Sequence, residues 1–504
     1  MKKLWKKCLS LFILAGLISS FSVGCATLDS SSVSSNAGSQ TKRIRIDVMR
    51  NCGVNPPSGA DDIIKAELDK ALNIDIVMES GSADYQNQLN VRLAGGNAPD
   101  VFQNGSRQIL VDNAKKGVLL DLTPYLEKLG KWKSMVGENN VKKGYVDNKL
   151  YALPNKTDTP YTCLWIRKDW LDHLNLKVPT TLDELVNIAK EFTFNDPDGN
   201  GKKDTYGIGG AGLGAFCDIF GGFALPLPGS TFIKDKKVTN SLFDPAMKDA
   251  LSYVKNIIAL GVTDPEIVSS GDPNSQKLIQ GKYGIVESGW SLLYKEPYAS
   301  QIKQVNPKAN WVQVTPPQGP SGAANTQPYD INNAGYLFSV SSSVTKDDAK
   351  VNRIIDLFNY VASDDGGLRL VEYGVKGRDY KVEDSKIVGT DKLFSEGGWF
   401  WVYQLAGRNE KEYLRVKFPQ QSTMIDFALK LPRITVYDSI LDQPEGYNHT
   451  DADTYINESM IKFIYNKQPL DQYQKFLDTL QTQFNYKTFM ESAEKQLKES
   501  GYVK

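Results

Sequence analysis

The sequence predicts an α/β protein, on two observations. From residue 43 onward, short apolar strands alternate with amphipathic helices, the pattern of a parallel sheet covered by helices on both faces. The chain has 504 residues, a length that suits about three ordinary domain units or, equally, one α/β architecture repeated in two lobes.

Taken in order, residues 1–24 read as a targeting segment. Lys2, Lys3, Lys6 and Lys7 form its charged start and 9–21 its apolar stretch, too short to span a membrane as a mature helix. The end of that stretch, Ser22-Val23-Gly24-Cys25, resembles a bacterial lipobox, which makes Cys25 the expected lipidated N-terminus; ordinary secretory cleavage with a free thiol is the alternative. Residues 25–40 are Ser-rich with little apolar content, so they cannot bury enough surface to order themselves and read as a tether. Processing removes four lysines and no acid from a chain with 59 bases and 59 acids. The mature chain is slightly acidic and has no basic tract, which argues against nucleic acid as a partner. Cys52, Cys163 and Cys217 remain, an odd and irregular set that allows at most one bridge and fits buried thiols better.

The folded part, 41–504, opens with the alternating strand 43–48, a Pro/Gly loop at 51–59, and a helix with Ile64, Leu68 and Leu72 inward. A second strand at 74–77, a helix carrying Tyr85, Leu89 and Leu93, and a third strand at 100–102 follow. Ligands of such sheets sit beyond the carboxyl ends of strands. Asn51 and Asn104 occupy that position and are candidate contacts, although turn-capping serves equally well. Strands are expected at 149–154 and 161–166. Thr181 and Glu184 fit a capping box ahead of a helix burying Leu182, Leu185, Ile188 and Phe192.

That helix ends on Asp196-Pro-Asp-Gly-Asn-Gly-Lys-Lys-Asp204. Oxygen side chains at every second position, with Gly201 at the turn, match five of the six ligand-or-turn positions of a helix-loop-helix calcium loop. The expected ligands are Asp196, Asp198, Asn200, the carbonyl of Lys202, and Asp204, holding a structural Ca²⁺. Gly207 stands where the bidentate Glu belongs, so Thr205, water or a distant carboxylate would have to complete the shell. An Asp/Asn/Gly-rich turn without an ion is the alternative.

The run 149–207 (LYALP, LWIRKDWL, VPTTLDEL and the Asp-rich loop before Tyr-Gly), with APDV at 98–101 and YGVKGRDY at 373–380, resembles the solute-binding lipoproteins of bacterial ABC importers that deliver oligosaccharides. The likeness spans nearly the whole mature chain. It implies a two-lobed, hinge-linked periplasmic-binding-protein-like fold (a Venus flytrap), with lobe 1 at about 41–155 and 326–375 and lobe 2 at about 156–325 and 376–504. The chain would cross at 155–160 and return at 316–327. The resemblance further implies that Trp290, directly after the strand 281–287, stacks on sugar.

Other candidates come from the residues themselves. Glu287 closes that strand, and Arg378 carries a planar fork of donors suited to hydroxyls. Trp399, Trp401 and Tyr403 share one face if 398–403 is extended. Trp165 is a weaker candidate on a strand, and core packing competes with stacking for every one of these rings. Helices are expected around 247–258, 351–361 and 454–497.

Three functions stay in play. The favoured one is a lipid-anchored, monomeric binding component that presents an oligosaccharide to ABC permease subunits. The others are a glycoside hydrolase and an anchored sugar adhesin or sensor. His173 and His449 are the only histidines, too few and too far apart for an H-E-x-x-H zinc site. No G-x-S-x-G or P-loop occurs.

Overall fold

The computed structural model describes residues 42–81, 84–156, 160–268, 273–332 and 336–503. The expected signal segment, tether and Cys25 lie outside the described residues.

Among the described residues, three sheets of four or five strands organise the chain, beside two two-stranded ones. The first runs Ile74–Gly81, Ile44–Asn51, Val101–Asn104, Leu337–Val340, Leu153–Pro154 in lateral order. Its first three strands are parallel, as βαβ alternation dictates. Leu337–Val340 then enters antiparallel beside Val101–Asn104 and Leu153–Pro154, so the sheet is mixed where a parallel one was expected. The cause is connectivity: this strand returns from the far half of the chain and not from a neighbouring crossover helix. Asp62 caps the helix Ile63–Leu72 by accepting from the Lys65 N–H at 2.9 Å, and Asn73 closes it with φ 52°, a left-handed position that Asn tolerates.

The second sheet orders Trp311–Val314, Thr162–Arg167, Tyr283–Gly289, Tyr206–Ile208. Both its faces are covered. Along Thr162–Arg167, Cys163 and Trp165 enter one core cluster while Leu164 and Ile166 enter another. A strand buried on both sides carries an apolar residue at every step, which is why this stretch reads as a continuous run. The third sheet orders Lys237–Asn240, Thr231–Lys234, Arg433–Val436, Thr326–Asp330.

The expected capping box is present: Thr181 Oγ1 accepts from the Glu184 N–H and Glu184 reaches back to the Thr181 N–H. Leu182, Leu185, Ile188 and Phe192 are all buried. The C-terminal helices His449–Ile464, Tyr473–Gln483 and Tyr486–Glu499 pack into the core beneath the second sheet.

One local expectation is corrected. Residues 398–403 are not extended; Gly397–Tyr403 is a 3₁₀ helix. Its three-residue period turns Gly397, Phe400 and Tyr403 inward together, which separates Trp399 from Trp401. The turn is tied to the N-terminus of the helix Ile63–Leu72 by Tyr403, whose hydroxyl donates to Asp62 Oδ2 at 2.6 Å. Among the described residues no helix is long and apolar enough to cross a membrane.

Candidate functional site

An open cavity of about 800 Å³ lies at one end of the strands, walled by residues at or beside strand ends and roofed by the C-terminal part of the chain. Arg50 comes from the carboxyl end of Ile44–Asn51, and Asn155 directly follows Leu153–Pro154. Trp290 and Tyr294 lie on the short helix Trp290–Tyr294 that continues from Tyr283–Gly289. Tyr336 precedes Leu337–Val340 and is fixed by donating its N–H to Asn155 Oδ1 at 2.7 Å. The roof is C-terminal: Trp401 from the 3₁₀ turn, then Arg408, Glu410, Tyr413, Lys417 and Phe418 on and around the helix Glu410–Lys417.

Aromatic rings dominate this wall. Trp290 packs on Phe418 with ring centroids 4.8 Å apart. Arg50 is buried, with its guanidinium 5.0 Å from the Tyr336 centroid and 5.2 Å from that of Trp401. Its Nη1 donates to the carbonyls of Trp401 at 3.0 Å and Val402 at 2.6 Å, while Nε has no partner. Arg408 is saturated by Glu410 and Gln404, and Glu410 also accepts from the Tyr161 hydroxyl. Lys417 donates to the Gly397 carbonyl at 2.8 Å. Burial, with Lys295 nearby, lowers its ammonium to about 8. Flat rings beside planar hydrogen-bonding groups can cover the C–H faces of a ring-shaped polyol and hold its hydroxyl rim.

Of the residues singled out from sequence, Trp290 and Trp401 line this cavity. Trp399 instead stands edge-on to Phe400 at 4.9 Å. Trp165 is fully buried, its Nε1 donating to the Ser288 carbonyl at 2.9 Å and its ring tilted on Tyr294; the burial of its strand on both faces places it in core. Asn104 is buried in a network with Ser339 and Asn113. Asn51 is exposed at the strand end, its N–H donating to Gln103. Arg378 is engaged by Asp379 and Glu396, which leaves its fork committed. Arg50, Tyr294, Tyr336, Arg408 and Lys417 were not anticipated; the one available signal was Arg50's place beside Asn51 at a strand's carboxyl end.

Glu287, half-buried, faces two buried residues. Its carboxylate oxygens have no hydrogen-bond partner, and one lies within 4.8 Å of ligand atoms of Cys217 and Asp218, themselves that close. Burial pushes the Asp218 carboxyl up to about 7, and its Oδ1 is also unpartnered.

The Asp-rich loop curls as a chelating loop must. Asp196 accepts from the N–H groups of Asn200 at 3.0 Å and Gly201 at 2.9 Å, with Gly201 at φ 74°. The Asn200 amide bridges Asp198 Oδ2 and Asp204 Oδ1, so a single group already spans two carboxylates. Burial, reinforced by Asp196 and Asp204, pushes Asp198 above the usual carboxylate range. Only oxygen donors are offered, which fits a hard cation. Two features stand apart from the expected shell: Lys282 Nζ holds Asp204 Oδ2 at 2.6 Å, and Thr205 is buried with its hydroxyl donating to the Phe192 carbonyl.

Comparisons with known proteins agree with this architecture. A family model described as bacterial extracellular solute-binding protein matches residues 54–367, more than half of the chain, and the chain belongs to that family. It is 28% identical over 402 residues to the polygalacturonan/rhamnogalacturonan-binding protein YtcQ of Bacillus subtilis, covering 78% of this chain and 76% of that one. Among solved structures it resembles the alginate-binding protein AlgQ2, determined without calcium ion (TM-score 0.67, 16% identity, 92% of this chain and 99% of that one). It also resembles the Streptococcus pneumoniae ABC-transporter substrate-binding protein FusA in complex with kestose (TM-score 0.66, 17% identity, 90% and 100%). The fold is therefore the two-lobed α/β binding-protein type.

Proposed function

We propose that this protein is the extracytoplasmic substrate-binding component of an ABC importer, and that it captures an oligosaccharide in the aromatic cavity. The carrying observation is that Trp290, Trp401, Tyr294, Tyr336 and Tyr413 converge on one open cavity of about 800 Å³ at the strand ends, where ligands of α/β sheets bind. A cavity of that size and openness suits several linked sugar rings. The sugar ligands in the names of the similar proteins support the same class.

In this reading Cys25 carries the lipid, 25–40 tethers the binding unit to the membrane, and permease subunits receive the loaded monomer. The Asp196 to Asp204 loop holds Ca²⁺ and pins the end of the helix Leu182–Phe194 to the strand Tyr206–Ile208. The protein binds without turning over its ligand. The carboxyl groups of Asp218 and Glu287 lie near one another, yet Asp218 is buried, Glu287 is half-buried and neither lines the cavity. Screening an oligosaccharide panel by tryptophan fluorescence, with solution scattering on each hit, tests the proposal. Saturable binding with compaction supports it, since closure of hinged lobes reduces the molecular dimensions; absence of any binding refutes it.

A further inference from the structure

The cavity described above contains more positive charge than its own acids compensate. Four cations line it, Arg50, Lys295, Arg408 and Lys417, against two acids, Glu296 and Glu410. Glu410 is spent on Arg408. Among the described residues, Arg50 and Lys417 form no ion pair and donate to backbone carbonyls, although Arg50 is 2% exposed and Lys417 9% exposed; the Asp379 carboxylate acts on Lys417 from a distance but is itself paired with Arg378. Burying a charge without a counter-ion is costly, and a fold that needed these positions only for packing would fill them with apolar side chains. Arg50 keeps Nε unpartnered, and Tyr336 and Trp401 hold its guanidinium plane by their faces.

We infer that the ligand is an acidic oligosaccharide whose carboxylate supplies the counter-charge that Arg50 and Lys417 lack. This rests on the oligosaccharide reading above and specifies its chemical class. A planar carboxylate matches the guanidinium fork and takes charge-assisted hydrogen bonds from both cations, while the flanking rings take the apolar sugar faces. Carboxylate binding also makes the ammonium form of Lys417 more favourable, so its lowered affinity for protons, about 8 without ligand, rises on binding. Complex formation near pH 8 therefore takes up protons.

The test titrates the intact protein calorimetrically with oligosaccharides of galacturonate, glucuronate, mannuronate and guluronate, each against its carboxyl-reduced counterpart of equal length. The tightest acid should bind at least about tenfold better than its reduced form, ~1.4 kcal/mol, and weaken as salt rises. At pH 8 the heat should differ between buffers of different ionisation enthalpy in the sense of proton uptake. Lys417→Gln should narrow the acid-to-reduced ratio; if that variant fails to fold, the salt and buffer dependence of the natural protein decide. A neutral glycan that binds tighter than every acid overturns the inference and leaves oligosaccharide binding standing. If nothing binds in either arm, both fall.

Discussion

Trp290 and Phe418 meet across the cavity wall at 4.8 Å between ring centroids, inclined by 59°, so a residue following a strand of the second sheet is packed against the C-terminal roof. Trp290 is only 4% exposed. The contact with Phe418 makes the ring part of the packing as well as of the cavity wall. Trp290→Ala should cost roughly 3–5 kcal/mol, as other large aromatic truncations do, visible as a fall in Tm. Trp290→Phe keeps most of the packing and should reduce ligand affinity by several-fold at nearly constant Tm. Unchanged affinity in the Phe variant would assign Trp290 to packing alone.

Chelation should lower Tm. Ca²⁺ bound only to the native loop stabilises by RT ln(1 + [L]/Kd), ~4 kcal/mol at a thousandfold excess. Asp198→Ala should abolish the difference between chelated and calcium-loaded protein, since Asp198 sits between Asp196 and Asp204 in the electrostatics of the loop. Identical melting with and without chelator would contradict a structural role.

Asp218 makes stability fall as pH rises. Its carboxyl is raised from 3.8 to about 7 by burial, so the folded state holds the proton more tightly than the unfolded one. That contribution is complete below the unfolded value and is lost as pH climbs through about 7. Asp218→Asn should flatten the profile between pH 5 and pH 8.5 and raise stability at the alkaline end by roughly 1–4 kcal/mol. A variant less stable than the natural protein at pH 8.5 would show that the ionised carboxylate is held by a partner, such as a cation shared with Cys217 and Glu287.

Anchoring is tested at the N-terminus. Cys25→Ser should move the protein from the membrane fraction to the soluble one, or leave it unprocessed, and mass spectrometry of the natural protein should find the mature chain beginning at an acylated Cys25. An unmodified terminus elsewhere would contradict the lipid anchor.

How much of this was legible from sequence depended on the range of the interaction. The capping box at Thr181 and Glu184 and the inward stripe Leu182, Leu185, Ile188, Phe192 are local, and they appear as read. The strands at 43–48, 74–77 and 100–102 were visible for the same reason, since alternation and βα spacing are short-range. The turn Gly397–Tyr403 was misread because an aromatic-rich segment supports either an extended or a 3₁₀ path, and tertiary anchors such as Tyr403 on Asp62 select between them. Trp165, inside a strand, and Trp290, just past one, belong to the same buried cluster; that only Trp290 borders the cavity depends on distant segments such as the one bearing Phe418. Arg50 was illegible because its partners, Trp401 and Val402, lie about 350 residues away. No local pattern encodes that closure.

The most direct test of the central claim incubates the pure protein for hours with the tightest oligosaccharide found in the panel and measures bound ligand and newly formed reducing ends in the same sample. The account predicts saturation at one ligand per protein and complete recovery of the intact oligosaccharide. Accumulating reducing ends at a rate proportional to protein concentration would contradict it and make the protein a glycoside hydrolase.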